Sequence, residues 1–198
     1  MSIPFEDVFW ELVSNRNVSL RYRSARNIKG FNFDQQAKNN FSLLQTIQII
    51  FFESNRKEIL PQEKYNFGDY KIYFFDEDHV RLEYILKNNC DFLFYNNFPS
   101  DLWNNKKLFE YSNQLGYITS CPTNLGRGNK FSIKFNAMVS NNLPLFIELV
   151  NKNLLIMDSG SVDTNKPINL TFYIKNFNSI SIKSFIYFSF YISNEFKF

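Results

Sequence analysis

The chain has 198 residues, 44% hydrophobic and 21% charged, a globular composition that excludes wholesale disorder and is enough for one full core. Its formal charge of +3 comes from scattered basic residues, so nucleic acid is not expected as a partner. Two cysteines, Cys90 and Cys121, make no disulfide framework, and a single His79 leaves no Cys/His spacing for a protein-built zinc site. Met1 to Asn15 mixes Glu6, Asp7 and Glu11 with its apolar residues, unlike a secretory leader. The most apolar run, Phe185 to Ile192, is far below the roughly 20 residues a membrane span needs. A cytoplasmic protein with no membrane contact is expected. The 24 Phe and 11 Tyr fit an AT-rich coding bias as readily as a binding function.

In chain order, Asn17 to Arg23 has strand character and leads to a turn at Gly30. Asp34 is placed to cap a helix from about Gln35 to Ser54, with Phe41, Leu44, Ile47 and Ile50 or Phe51 at helical spacing. Glu53 to Gly68, polar and holding Pro61, reads as a loop. Strands are expected at Tyr70 to Phe75 and Val80 to Leu86, with Asp76-Glu77-Asp78 between or within them, and a helix at about Ser100 to Asn113. Leu115 to Ser120 enters a Pro/Asn/Gly-punctuated loop, Cys121 to Gly128, that leaves as a strand at Lys130 to Phe135. Leu143 to Asn151 is helical, and the remainder from Leu154 is mostly strand-like. Strands in groups with helices between them predict a single α+β domain with a largely antiparallel sheet.

Three segments carry chemistry. In Ser19-Leu20-Arg21-Tyr22-Arg23, strand alternation puts Ser19, Arg21 and Arg23 on one face, where two guanidiniums repel each other unless an anion or acidic partner lies between them. A solvated basic face is the plainer alternative. Glu77-Asp78-His79-Val80-Arg81, if extended, sets Glu77, His79 and Arg81 on one face, so that a carboxylate can grip a guanidinium and an arginine a phosphate. A solvated acidic turn with a structural histidine is the alternative there. The third is Gly116-Tyr117-Ile118-Thr119-Ser120-Cys121-Pro122-Thr123-Asn124-Leu125-Gly126-Arg127-Gly128.

This run closely resembles the G-Y-[LI]-T-[ST]-C-P-T-N-[LV]-G-T-G signature of the ATP:guanido phosphotransferases (phosphagen kinases). Ser19 to Asn27 resembles the family's S-x-R-x-R and A-R-N segments, and Glu77 to Arg81 its E-D-H-[LI]-R, so the motifs stand in family order over about Asn17 to Ser132. The wording is nearest the bacterial protein-arginine kinases, as in a shortened, partly degenerate member, and the short N-terminus favours that type in the expectation that the helical domain of the animal enzymes is absent.

The resemblance implies the family's glutamine-synthetase-like catalytic core and transfer of the γ-phosphoryl of ATP to a guanidinium, of arginine or protein arginine, with Mg²⁺ held by phosphates and water. It also implies that Ser19, Arg21, Arg23, Arg81 and Lys130 hold the ATP phosphates and that Glu77 pairs with the acceptor. Cys121 would lie beside the acceptor as a thiolate, with an inert core thiol as the bland alternative, and Thr123, Asn124 and Gly126 would form the substrate loop.

The sequence departs from the pattern after the signature. Lys130 replaces an arginine, Leu154 to Val162 stands where an R-G-x-x-G-E loop is expected but carries neither the arginine nor the glutamate, and Tyr65 is nearest to a nucleotide-contacting histidine. Ser179 to Phe198 matches no family segment. A non-catalytic relative that binds an anion or arginine and acts through a protein partner is the rival expectation.

Overall fold

The structure, a computed structural model, describes residues 3–33, 39–52, 64–67, 70–87, 100–152, 155–157, 166–176 and 179–196. Alternation decides its first strand. In β1 (Val18–Arg26), Leu20 and Tyr22 are buried while Ser19, Arg21 and Arg23 are half-buried, as the sequence pattern requires. From Ser24 to Arg26 the alternation ends and every residue is buried.

Eight further strands follow: β2 (Lys64–Phe67), β3 (Tyr70–Phe74), β4 (Val80–Leu86), β5 (Tyr111–Ser112), β6 (Gly116–Tyr117), β7 (Asn129–Ala137), β8 (Leu155–Met157) and β9 (Ile168–Lys175). Seven strands form one sheet in the order β2-β3-β4-β1-β7-β9-β8, and β5 and β6 form a separate pair. The β2/β3, β3/β4, β5/β6 and β8/β9 pairs are antiparallel. With the helices this is the expected α+β architecture with a largely antiparallel sheet.

The chain divides into two compact units interleaved in sequence: Met1–Tyr22, Ile85–Asn97 and Phe131–Phe198 form the first, Arg23–Tyr84 and Phe98–Lys130 the second. In the first, α1 (Phe5–Ser14) buries Phe5, Val8, Phe9 and Leu12 at helical spacing and packs on α5 (Ser179–Glu195), where Phe5 meets Tyr187 edge-on at 5.8 Å. Phe131, Ile133 and Phe135 alternate into the core from β7, and Phe135 stacks on Phe172 of β9 at 5.5 Å. α4 (Leu143–Asn151) starts where Asn142 Oδ1 accepts from the Leu145 amide and ends where the sequence predicts.

In the second unit, α2 (Phe41–Phe52) buries Leu43, Ile47 and Phe51. Phe51 packs edge-on against Phe74 and Trp103, and Trp103 lies 5.5 Å from Phe109. Trp103 is fully buried at the end of the four-residue helix α3 (Ser100–Trp103), and its indole N–H donates to Ser24 Oγ at 2.7 Å.

Several elements differ from the sequence expectation. The helix expected to Asn113 stops at Trp103, because Asn105 Oδ1 accepts from the Lys107 amide in a side-chain turn. Lys64–Phe67 pairs as a strand inside the expected loop. The tail expected to be strand-like is the 17-residue helix α5, whose buried Ile182, Ile186, Ser189, Phe190 and Ser193 recur with helical period despite its aromatic and branched composition. The Asp34 cap and the helix start at Gln35 lie outside the described residues.

Trp103→Ala should cost about 3–5 kcal/mol of unfolding free energy, as for other fully buried aromatics. Urea unfolding followed by far-ultraviolet dichroism measures it, and a loss below about 1 kcal/mol would show that this cluster does not carry the second unit.

Candidate functional site

Three consecutive residues at the end of β1 organise the site. Asn27 is fully buried and its amide is used on both sides. Nδ2 donates to Asp78 Oδ1 and to Ser120 Oγ, each at 3.1 Å, and Oδ1 accepts from the His79 amide at 2.8 Å. Asp78 Oδ1 also accepts from the Ser120 amide at 2.6 Å. One buried amide thus fastens the acidic turn at residues 76–79 to the signature loop. Next to it, His79 Nδ1 accepts from the Ile28 amide at 3.0 Å, which fixes the tautomer with the proton on Nε2, donated to the Asn32 carbonyl at 2.8 Å.

The preceding residue, Arg26, is buried at 2% exposure, and its guanidinium lies 3.6 Å from the Tyr117 ring centroid and 5.2 Å from that of Trp103. It donates to the carbonyls of Ala25, Trp103 and Arg127. Two signature glycines follow from this packing. Gly128 (φ 62°) leaves room for Arg26, since a Cβ there would lie 2.4 Å from Nη1; a Cβ on Gly116 (φ 78°) would meet the Gly126 carbonyl oxygen at 2.4 Å. The Tyr117 amide donates to the Gly126 carbonyl at 2.7 Å, closing the loop. Within it, Pro122–Asn124 forms a 3-10 turn, the Asn124 amide and Thr119 Oγ1 both donate to the Cys121 carbonyl, and Cys121 is half-buried outside any disulfide.

The second unit also carries a set of charged groups on β1, β3 and β4. Arg23 Nε donates to Glu83 Oε2 at 3.2 Å, and the Tyr73 hydroxyl donates to Glu83 Oε1 at 3.2 Å. Tyr73 and Arg81 are cross-strand partners; the Arg81 guanidinium lies 4.6 Å from the Tyr73 ring centroid, and its Nη1 pairs with Asp76 Oδ2.

Arg23 and Arg81 therefore belong to one connected network. Ser19 and Arg21 are half-buried on the same strand face as Arg23, and the Arg21 carbonyl accepts from Ser132 Oγ at 3.4 Å. Lys130 is half-buried on β7, and Asn124 and Gly126 are half-buried in the loop that also contains Thr123.

One sequence expectation is corrected. Glu77, His79 and Arg81 do not share a strand face: residues 75–79 are a bend that begins with Phe75 at φ 56°, β4 starts at Val80, and Glu77 is exposed while His79 is buried. Tyr65, nearest to the expected nucleotide-contacting position, is buried against Phe52 and Phe74. Sequence reasoning also missed Asn27, Asp78 and Glu83. Glu83 had a legible signal, standing two residues after Arg81 on the same strand. The Leu154 to Val162 segment is described only at β8, and Cys90 lies outside the described residues.

Residues 36–185 match the family model for the ATP:guanido phosphotransferase C-terminal catalytic domain. The chain belongs to this family. Among solved structures, the duplicated taurocyamine kinase of Schistosoma mansoni with bound transition-state-analogue components has a TM-score of 0.59 at 17% identity, over 96% of this chain and 34% of that one. Its substrate-free form gives 0.55 at 18% identity, over 87% and 31%. Lombricine kinase gives 0.56 at 15% identity, over 89% and 65%. At these identities the likeness is one of fold, and the chain spans about a third of the taurocyamine kinase chains and 65% of lombricine kinase. No curated protein matches the chain.

The phosphagen-kinase match begins after the Ser19 to Asn27 segment and runs through β9 into α5, beyond the stretch that carries the legible motifs. Among the described residues, no group of three or more His, Cys, Asp or Glu is placed to hold a metal ion, and no helix is long and apolar enough to cross a membrane.

Asn27→Ala should lower unfolding free energy by about 1–3 kcal/mol, because Asp78, His79 N–H and Ser120 each lose a partner in a buried setting. Asn27→Asp should cost more, since it sets a second carboxylate against buried Asp78. Chemical denaturation of both variants measures this, and an aspartate variant as stable as the parent would contradict the buried network.

Proposed function

We propose that the chain transfers the γ-phosphoryl group of ATP to a guanidinium nitrogen of arginine, free or within a protein. The observation that carries this reading is the closed signature loop, fastened through Asn27 and Asp78 to the turn that bears Glu77 and continues into the strand that bears Arg81. In the reaction the acceptor nitrogen forms a bond to the γ-phosphorus, the bond from that phosphorus to the ADP oxygen breaks, and the acceptor's proton passes to solvent water. Catalysis of such a transfer is mostly positioning and charge stabilisation.

Arg21, Arg23, Arg81 and Lys130 supply cations for the phosphates, and Ser19 lies on the β1 face that carries Arg21 and Arg23. Glu77, exposed on the turn, is available to a guanidinium from solvent. Cys121 and the Thr123, Asn124 and Gly126 backbone line the acceptor side. The donor set suits a triphosphate that brings its own Mg²⁺, coordinated by phosphates and water; the ion neutralises phosphate charge.

A second reading is a non-catalytic relative that binds an anion or arginine and works through a protein partner. It is favoured by Asp76, already paired with Arg81, and by Lys130 and Leu154 to Val162, which lack the expected arginine and glutamate. A lysine keeps the charge but not the bidentate fork.

Calorimetry with Mg-ATP and with arginine, followed by mass spectrometry for phosphoarginine, separates the two. The proposed activity requires both ligands to bind and phosphoarginine to accumulate with chain concentration. Arg21→Ala should weaken Mg-ATP binding by about 1.5–3 kcal/mol, the range for a charge-assisted contact. Glu77→Gln should abolish most turnover while leaving Mg-ATP affinity within about threefold. Binding without turnover selects the second reading, and an Arg21→Ala variant that binds Mg-ATP like the parent removes Arg21 from the phosphate site.

A further inference from the structure

Glu83 is an acid in an unusual position, with a side chain only 8% exposed against 32% for its partner Arg23. A buried carboxylate is costly unless ion-paired and hydrogen-bonded. Here both oxygens are used: Oε2 accepts from Arg23 Nε and Oε1 from the Tyr73 hydroxyl, each at 3.2 Å. Tyr73 in turn carries the Arg81 guanidinium over its ring at 4.6 Å. Glu83 therefore sits at the joint between two arginines, below a guanidinium that remains partly open to solvent.

We propose that Glu83 is a positioning residue for the nucleotide phosphate site, holding Arg23 in its binding rotamer from beneath and registering it against Arg81 through Tyr73. This role rests on the phosphoryl-transfer reading. The physical reason is preorganisation. A half-exposed arginine has many rotamers, and a ligand that must order it loses affinity; a buried carboxylate that holds the Nε edge orders it beforehand. The pairing also offsets the repulsion between Arg23 and its strand neighbour Arg21 before an anion arrives. The opposite role is a carboxylate that competes with phosphate for Arg23, and it predicts the opposite sign.

The test is a double-mutant cycle on Mg-ATP affinity, measured by calorimetry on the full chain well below each variant's melting temperature. Glu83→Ala should weaken Mg-ATP binding about tenfold, and Glu83→Gln, which keeps an acceptor for Arg23 Nε, should stay within about threefold of the parent. In an Arg23→Ala background, Glu83→Ala should have no further effect, because the role acts through Arg23. A merely structural contribution would persist in that background.

Tyr73→Phe keeps the ring and removes one donor to Glu83. It should weaken binding about threefold in the parent and not at all with Arg23→Ala, and it serves if Glu83→Ala does not fold. Equal or tighter binding by Glu83→Ala, or equal losses with and without Arg23, would overturn the positioning role while leaving nucleotide binding intact. A folded parent that takes up no Mg-ATP would overturn the nucleotide reading and this role with it.

Discussion

The site depends on a buried primary amide that must find partners. Asn27 lies where β1 leaves the sheet, out of reach of water, and a buried amide without hydrogen bonds is costly to fold. Its donors and acceptor are satisfied by the turn at 76–79 and by Ser120, segments more than 50 and 90 residues away in the chain. Satisfying it therefore brings the acidic turn and the signature loop to one place. The same requirement puts Asp78 inside and leaves Glu77 at the surface, because the buried member of the acidic run is the one that receives Asn27 Nδ2 and the Ser120 amide.

Arg26 imposes a second constraint on the loop from the opposite side. A guanidinium packed between Tyr117 and Trp103 and hydrogen-bonded to carbonyls needs space, and Gly128 provides it. The signature run is therefore as much a packing solution as a chemical one. Its glycines answer to backbone and guanidinium contacts, which leaves Cys121 and the 3-10 turn held in a loop of defined shape. On the neighbouring strands the cations are balanced by acids, Arg23 by Glu83 and Arg81 by Asp76. Such balance lets several arginines lie close together before any anion binds.

Where the sequence was legible, the reason is local. Tyr70–Phe74 shows strand alternation, Val80–Leu86 shows it except at buried Glu83, and Leu143–Asn151 carries a capping Asn142 and an early proline, so each is determined by its own residues. α5 was not legible because its aromatic and branched residues favour strand, while packing against α1 and the sheet selected the helical period. The helix at Ser100 was overrun because the turn at Asn105 is set by one side-chain hydrogen bond. The motifs named the site's chemistry but not its joints. Which acid of Glu77 and Asp78 goes inside, and that Glu83 closes on Arg23, are decided by contacts 50 to 60 residues apart, which no short pattern encodes.

The central claim is that Asp78, through Asn27 and Ser120, fastens the signature loop to the acidic turn. Amide hydrogen exchange resolved at Ser120 tests it most directly, because that N–H has a buried carboxylate as its acceptor at 2.6 Å. The Ser120 amide should exchange slowly in the parent chain and at least about 30-fold faster in Asp78→Ala, as loss of a charge-assisted hydrogen bond implies, while core amides of β7 change far less. Fast exchange at Ser120 in the parent, or protection unchanged by the substitution, would contradict the account.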